Sequence, residues 1–60
     1  MNLIKRIDSN NNEKIFNSIQ EAAKSIDVNI ENWKIELFIA DAINNNKRAF
    51  KYIWKEIKNS

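Results

Sequence analysis

Apolar and polar positions between Phe16 and Ile26 follow a helical period. Ile19, Ala22, Ala23 and Ile26 fall at i, i+3, i+4 and i+7 and form one apolar stripe, while Gln20, Glu21, Lys24 and Ser25 take the watered side. Ser18 stands three residues before Glu21, the spacing of a capping box in which each side chain satisfies a free backbone N–H of the first turn, so a helix is expected from Ser18 to about Ser25. The two alanines let a second element approach closely. Beyond Ile26, Asp27-Val28-Asn29 reads as a tight turn, with Asp27 in the left-handed conformation usually given to glycine and Asn29 capping a second helix.

Upstream, Leu3 to Ile7 and Glu13 to Phe16 are short β-leaning runs. The cluster Asp8-Ser9-Asn10-Asn11-Asn12 between them turns readily and tolerates positive φ, so a β-hairpin is expected near residues 3 to 16.

The region from Asn29 to about Asn44 reads helical with two apolar sides. Steps of ~100° put Ile30, Trp33, Leu37 and Ala40 on one side and Ile35, Ile39, Ala42 and Ile43 on another. Either the helix breaks near Lys34 to Glu36, or its second side is buried against another copy of the chain. Asn44-Asn45-Asn46 supplies the terminating cap. From Ala49 to Ile57 both periods fit: Phe50, Ile53, Trp54 and Ile57 make a helical stripe, and Phe50, Tyr52 and Trp54 alternate as a strand would. Aromatic and β-branched content favours a strand near Phe50 to Lys55.

Sixty residues form a single domain, 1–60, close to the size at which a hydrophobic core alone holds a chain folded. Without Cys or His the usual thiolate and imidazole chemistry is missing, and Glu31, Glu36 and Asp41 lie five apart on the helix rather than on one face. No enzymatic activity, cofactor, metal or small-molecule substrate is expected. No apolar run of about 18 residues suggests a membrane span, and Lys5, Arg6 and Asp8 interrupt any signal-peptide core, which points to the cytoplasm. Eleven Asn, eleven Ile and no Gly or Pro suggest an A/T-rich coding sequence of the kind found in phages and mobile elements. The net charge of +2 is unevenly spread: residues 1–17 carry +1, residues 18–46 carry −3 and residues 47–60 carry +4.

Phe16-x-Ser18-x-x-Glu21-Ala22-Ala23-Lys24-Ser25-Ile26-x-Val28, then Ile39-x-x-Ala42-Ile43, then Ala49-x-x-Tyr52-x-Trp54 together resemble the nuclease-associated modular DNA-binding domains, helix-turn-helix modules of homing endonucleases and phage proteins. The resemblance spans Phe16 to Trp54, with Lys51 standing where that family has Gly before Tyr. It implies a small α+β fold: a helix-turn-helix with an N-terminal β-hairpin and a C-terminal strand, forming a three-stranded sheet. It also implies a core of Phe16, Ile19, Ala22, Ala23, Ile26, Val28, Ile39, Ile43, Tyr52 and Trp54, and a second helix that faces DNA.

Two functional expectations follow. For duplex DNA the candidate contacts are Asn29, Asn32 and Lys34 at the start of the second helix, with Lys47, Arg48, Lys51, Lys55 and Lys58 on phosphates. Glu31, Glu36 and Asp41 outnumber Lys34 on that helix and oppose this reading. The alternative is a protein-binding module, an inhibitor of a host defence enzyme acting as a homodimer. It would bind through Ile30, Trp33, Leu37 and Phe38, with the same carboxylates rimming the aromatic anchors.

Overall fold

The Asp8 carboxylate shapes the first turn. It accepts the backbone N–H of Asn10 at 2.8 Å and of Asn12 at 2.9 Å, and Asn11 takes φ 65°, which an asparagine tolerates. This turn joins β1 (Asn2–Ile7) to β2 (Glu13–Phe16) in an antiparallel hairpin with Ile4 opposite Phe16. In this computed structural model, which describes residues 2–58, the chain continues through α1 (Ile19–Lys24), α2 (Asn32–Asn44), β3 (Arg48–Ala49) and β4 (Tyr52–Lys58).

Helix α1 begins as its capping residues dictate. The Glu21 N–H donates to the Ser18 hydroxyl at 3.1 Å, and the Glu21 carboxylate reaches back to the Asn17 N–H at 3.1 Å. The helix ends at Ser25, which keeps right-handed geometry and donates its hydroxyl to the Ala22 carbonyl at 2.7 Å. Helix α2 runs unbroken past residues 34–36 and ends at Asn45. There Asn46 takes φ 52°, and the Lys47 N–H bonds the Ala42 carbonyl at 3.1 Å, so asparagine fills the position glycine usually holds.

The four strands form one antiparallel sheet in the order β2-β1-β4-β3. The first and last strands pair over six residues, from Asn2 opposite Lys58 to Ile7 opposite Ile53. Side chains alternate along a strand, so Ile4, Phe16 and Trp54 project together toward the helices. There they meet Ala22 and Ala23 of α1 and Ile35, Ile39 and Ala42 of α2 in one buried cluster. Trp54 is 1% exposed, its indole N–H donates to the Ala49 carbonyl at 2.9 Å, and its ring lies 6.5 Å from Phe16 and 5.9 Å from Tyr52. The Arg6 guanidinium covers the edge of this cluster, 4.5 Å from the Tyr52 ring centroid, and donates to the Ser25 hydroxyl at 3.4 Å.

The expected helix-turn-helix with a three-stranded sheet is corrected on three points. The sheet has four strands, because Arg48 and Ala49 pair with Ile53 and Tyr52. Phe50 and Lys51 belong to the two-residue turn of that hairpin, rather than to a strand starting at Phe50. Between the helices lie seven residues, 25–31, where a helix-turn-helix uses a turn of three or four. Asp27 does not adopt positive φ, and α2 starts at Asn32 behind Glu31, which makes no side-chain capping bond. Val28 is exposed and stands outside the core, in contrast to its implied core role.

Ala22 and Ala23 are fully buried, so Ala23→Leu should overpack the helix contact and cost about 1–3 kcal/mol in a urea unfolding titration. The hydrogen bond from the Asn12 N–H, helped by that from Asn10, holds the Asp8 carboxyl below its ordinary value of 3.8. A carboxylate lowered in the folded state adds stability that is present above its unfolded value and lost as pH falls through the folded one. Thermal melts stepped from about pH 5 to about pH 2 should therefore fall more steeply for the parent than for Asp8→Asn, which should already melt lower at neutral pH.

Candidate functional site

Helix α2 buries Ile35, Ile39 and Ala42 and turns another apolar set outward. Trp33, Leu37 and Phe38 are 55%, 60% and 49% exposed, and Ile30 just ahead of the helix is exposed as well. At 100° per residue Trp33 and Leu37 sit opposite the buried stripe, and Phe38 lies on its flank. The Trp33 indole N–H donates to the Glu31 carboxylate, and the Lys34 ammonium lies 5.4 Å from its ring centroid, so both its edge and its face are held.

Phe38 packs edge-to-face on Phe50, with ring centroids 5.8 Å apart. Ile30, Phe38, Asp41, Arg48 and Phe50 contribute to the lining of a groove of about 400 Å³ that extends this apolar surface toward the β3–β4 hairpin. Its acidic side is fixed by Asp41, whose carboxylate pairs with the Lys47 ammonium at 2.5 Å and accepts from the Asn45 side-chain amide at 2.6 Å. The bond from Lys47 holds the Asp41 carboxyl below the usual carboxylate range.

Phe50 is the residue that sequence reasoning misses. It occupies φ 54° and Lys51 φ 71° in the two-residue turn, a geometry normally given to Asn-Gly. Left-handed backbone at a bulky residue is costly and persists where surrounding structure enforces it. No turn residue marks this site in the sequence.

The residues expected to contact DNA are spread over several elements. Asn29 lies in the loop between the helices, and Asn32 and Lys34 lie on the first turn of α2. Lys47, Arg48 and Lys51 belong to the β3–β4 end, where Lys47 is already paired with Asp41. Lys55 alternates with Trp54 and so projects from the sheet face away from the helices. By contrast Ile30, Trp33, Leu37 and Phe38 all lie along α2 or directly before it, and all four are exposed.

Among the described residues no group of three or more His, Cys, Asp or Glu is placed to hold a metal ion, and no helix is long and apolar enough to cross a membrane. No family model matches the chain, and no curated protein or solved structure matches it either.

The strain at the turn can be measured. Lys51→Gly keeps the Phe50 ring and removes a Cβ from left-handed backbone, so it should raise stability by about 1 kcal/mol. Urea denaturation of parent and variant checks this, and a lower midpoint for the variant would mean that the Lys51 side chain makes interactions worth more than the strain.

Proposed function

We propose that this protein is a non-enzymatic interaction module that binds another protein through the outward side of α2, and that the partner presents a basic surface. The carrying observation is the exposure of Trp33, Leu37 and Phe38, about half or more each, on one 13-residue helix. Large apolar side chains ringed by charge are how protein interfaces are anchored. Trp33 is held by Glu31 and Lys34 before any partner arrives, which reduces the entropy lost on binding. On α2 and just before it, Glu31, Glu36 and Asp41 outnumber Lys34, so the complementary surface is cationic. A nucleic-acid-binding groove has that character. In the phage or mobile-element setting suggested by the composition, the module acts in the cytoplasm as an inhibitor that occupies such a groove on a host defence enzyme.

A second reading is direct duplex binding, favoured by Lys47, Arg48 and Lys51 close together on the β3–β4 end. It is the weaker one, because Asp41 neutralises Lys47 and the neighbouring helix is acidic.

Affinity capture from a bacterial lysate, with proteins identified by mass, should recover a protein held by the parent and reduced at least about tenfold for Trp33→Ala combined with Leu37→Ala. Both side chains are largely exposed, so the double variant should melt with the parent. Equal recovery by parent and variant would sink the α2 reading. Titration with random duplex DNA at low salt decides the second reading: binding should weaken steeply with salt, and replacing Lys47, Arg48 and Lys51 by Ala should flatten the slope by ~1 for each phosphate no longer neutralised. Sedimentation of parent and Trp33→Glu shows whether the partner is instead a second copy of this chain.

A further inference from the structure

We propose that the sheet face turned away from the helices is a second docking surface, and that its occupant is an acidic amphipathic helix of a partner protein. The register defines this face. Leu3 lies opposite Ile57, Lys5 opposite Lys55 and Ile7 opposite Ile53, while Lys5 also lies opposite Ile15 on the other side. These positions alternate with Ile4, Phe16 and Trp54, the residues the sheet buries against α1 and α2. Leu3, Ile7, Ile15, Ile53 and Ile57 therefore share the far face, and none of them belongs to the buried cluster or packs against it. Ile15 is exposed and the other four are half-buried, so this face carries two aliphatic pairs and Ile15 with lysines between them.

The occupant's chemistry is read from the cations on that face. Like charges directly opposite one another destabilise a sheet, yet Lys5 and Lys55 are paired in register between the two aliphatic pairs. Glu13 reaches Lys5 at 3.5 Å, and Lys55 has no ion pair among the described residues. Arg48, opposite Ile53, adds a third positive charge at the edge. A segment with apolar residues on one side and carboxylates beside them would cover the aliphatics and neutralise the lysines together. A helix is the natural shape, since helices already cover the opposite face of this sheet and a two-sided sheet is completed by another layer.

Two-fold stacking of this face on itself fits poorly, because it would bring Lys5 and Lys55 of both chains together with only Glu13 from each to offset them. A lipid surface is favoured less, since three cations less Glu13 make a sparse basic patch for adsorption to a bilayer.

The test is an amide-resolved NMR titration of the full chain with a synthetic helix of about 18 residues, bearing Leu at i, i+3, i+4 and i+7 with Glu beside them, and a control in which every Glu is Lys. The acidic helix should shift β1 and β4 resonances and saturate below about 1 mM, with the dissociation constant raised at least about tenfold by Lys55→Glu. Trp33→Ala should leave this binding unchanged, which separates it from the α2 surface. Lys55 is exposed, so Lys55→Glu should melt with the parent and reports on binding rather than on folding. No shift by about 1 mM, an equal response to the Lys-bearing control, or shifts confined to α2 would each overturn the proposal. So would adsorption to phosphatidylserine vesicles, or self-association, that competes with the peptide and is abolished by Lys55→Glu.

Discussion

The pairing of the first strand with the last is the constraint on which the rest depends. Six residues of β1 hydrogen-bond against β4 in the middle of the sheet, so the two hairpins attach to each other only through a pairing that closes nearly the whole chain. Such a closure must be made before it is rewarded, and it costs more than any local turn. What rewards it is Trp54, which β4 delivers opposite Arg6 and beneath both helices. Helix α1 has only six residues, too short to be stable alone, and it persists because its two alanines lie against α2 and the sheet. A chain of this size has little surplus core, so losing that one long-range pairing removes the support of every element.

Much of this is legible in the sequence where a local interaction decides the outcome. Ser18 and Glu21 mark the start of α1, since the bonds they make lie within four residues. Asp8 and the asparagines mark the first turn for the same reason, because one carboxylate collects two neighbouring N–H groups. Periodicity also separates Ile35, Ile39 and Ala42 from Trp33 and Leu37 on α2, although it does not say whether the outward side is folded away or left open.

The remainder depends on tertiary context. Strand β3 has two residues, too few to carry a period, and its turn lacks the Asn-Gly signal because Phe50 and Lys51 adopt left-handed backbone against their own preference. Propensity places Phe50 in a strand, whereas its packing on Phe38 holds it in the turn. Asp27 and Asn29 predict a tight turn where the chain forms the longer loop 25–31. Ser25 ends α1 without a left-handed residue, so that turn chemistry is unused. Both differences concern the surface around Ile30 and Phe50, where local preference and observed geometry disagree. Disagreement of that kind concentrates at sites selected for something other than stability.

A two-layer molecule with one sheet has two outer surfaces, and this chain leaves apolar side chains on both. On the helical side Trp33, Leu37 and Phe38 are set among carboxylates, and on the sheet side Leu3, Ile7, Ile15, Ile53 and Ile57 are set around lysines. Because the apolar groups are divided in this way, the core between the layers is built from three alanines and three isoleucines around Phe16 and Trp54. Trp33 and Phe38 stay outside, and Phe50 holds left-handed backbone against the Phe38 ring, an arrangement that stability alone does not explain.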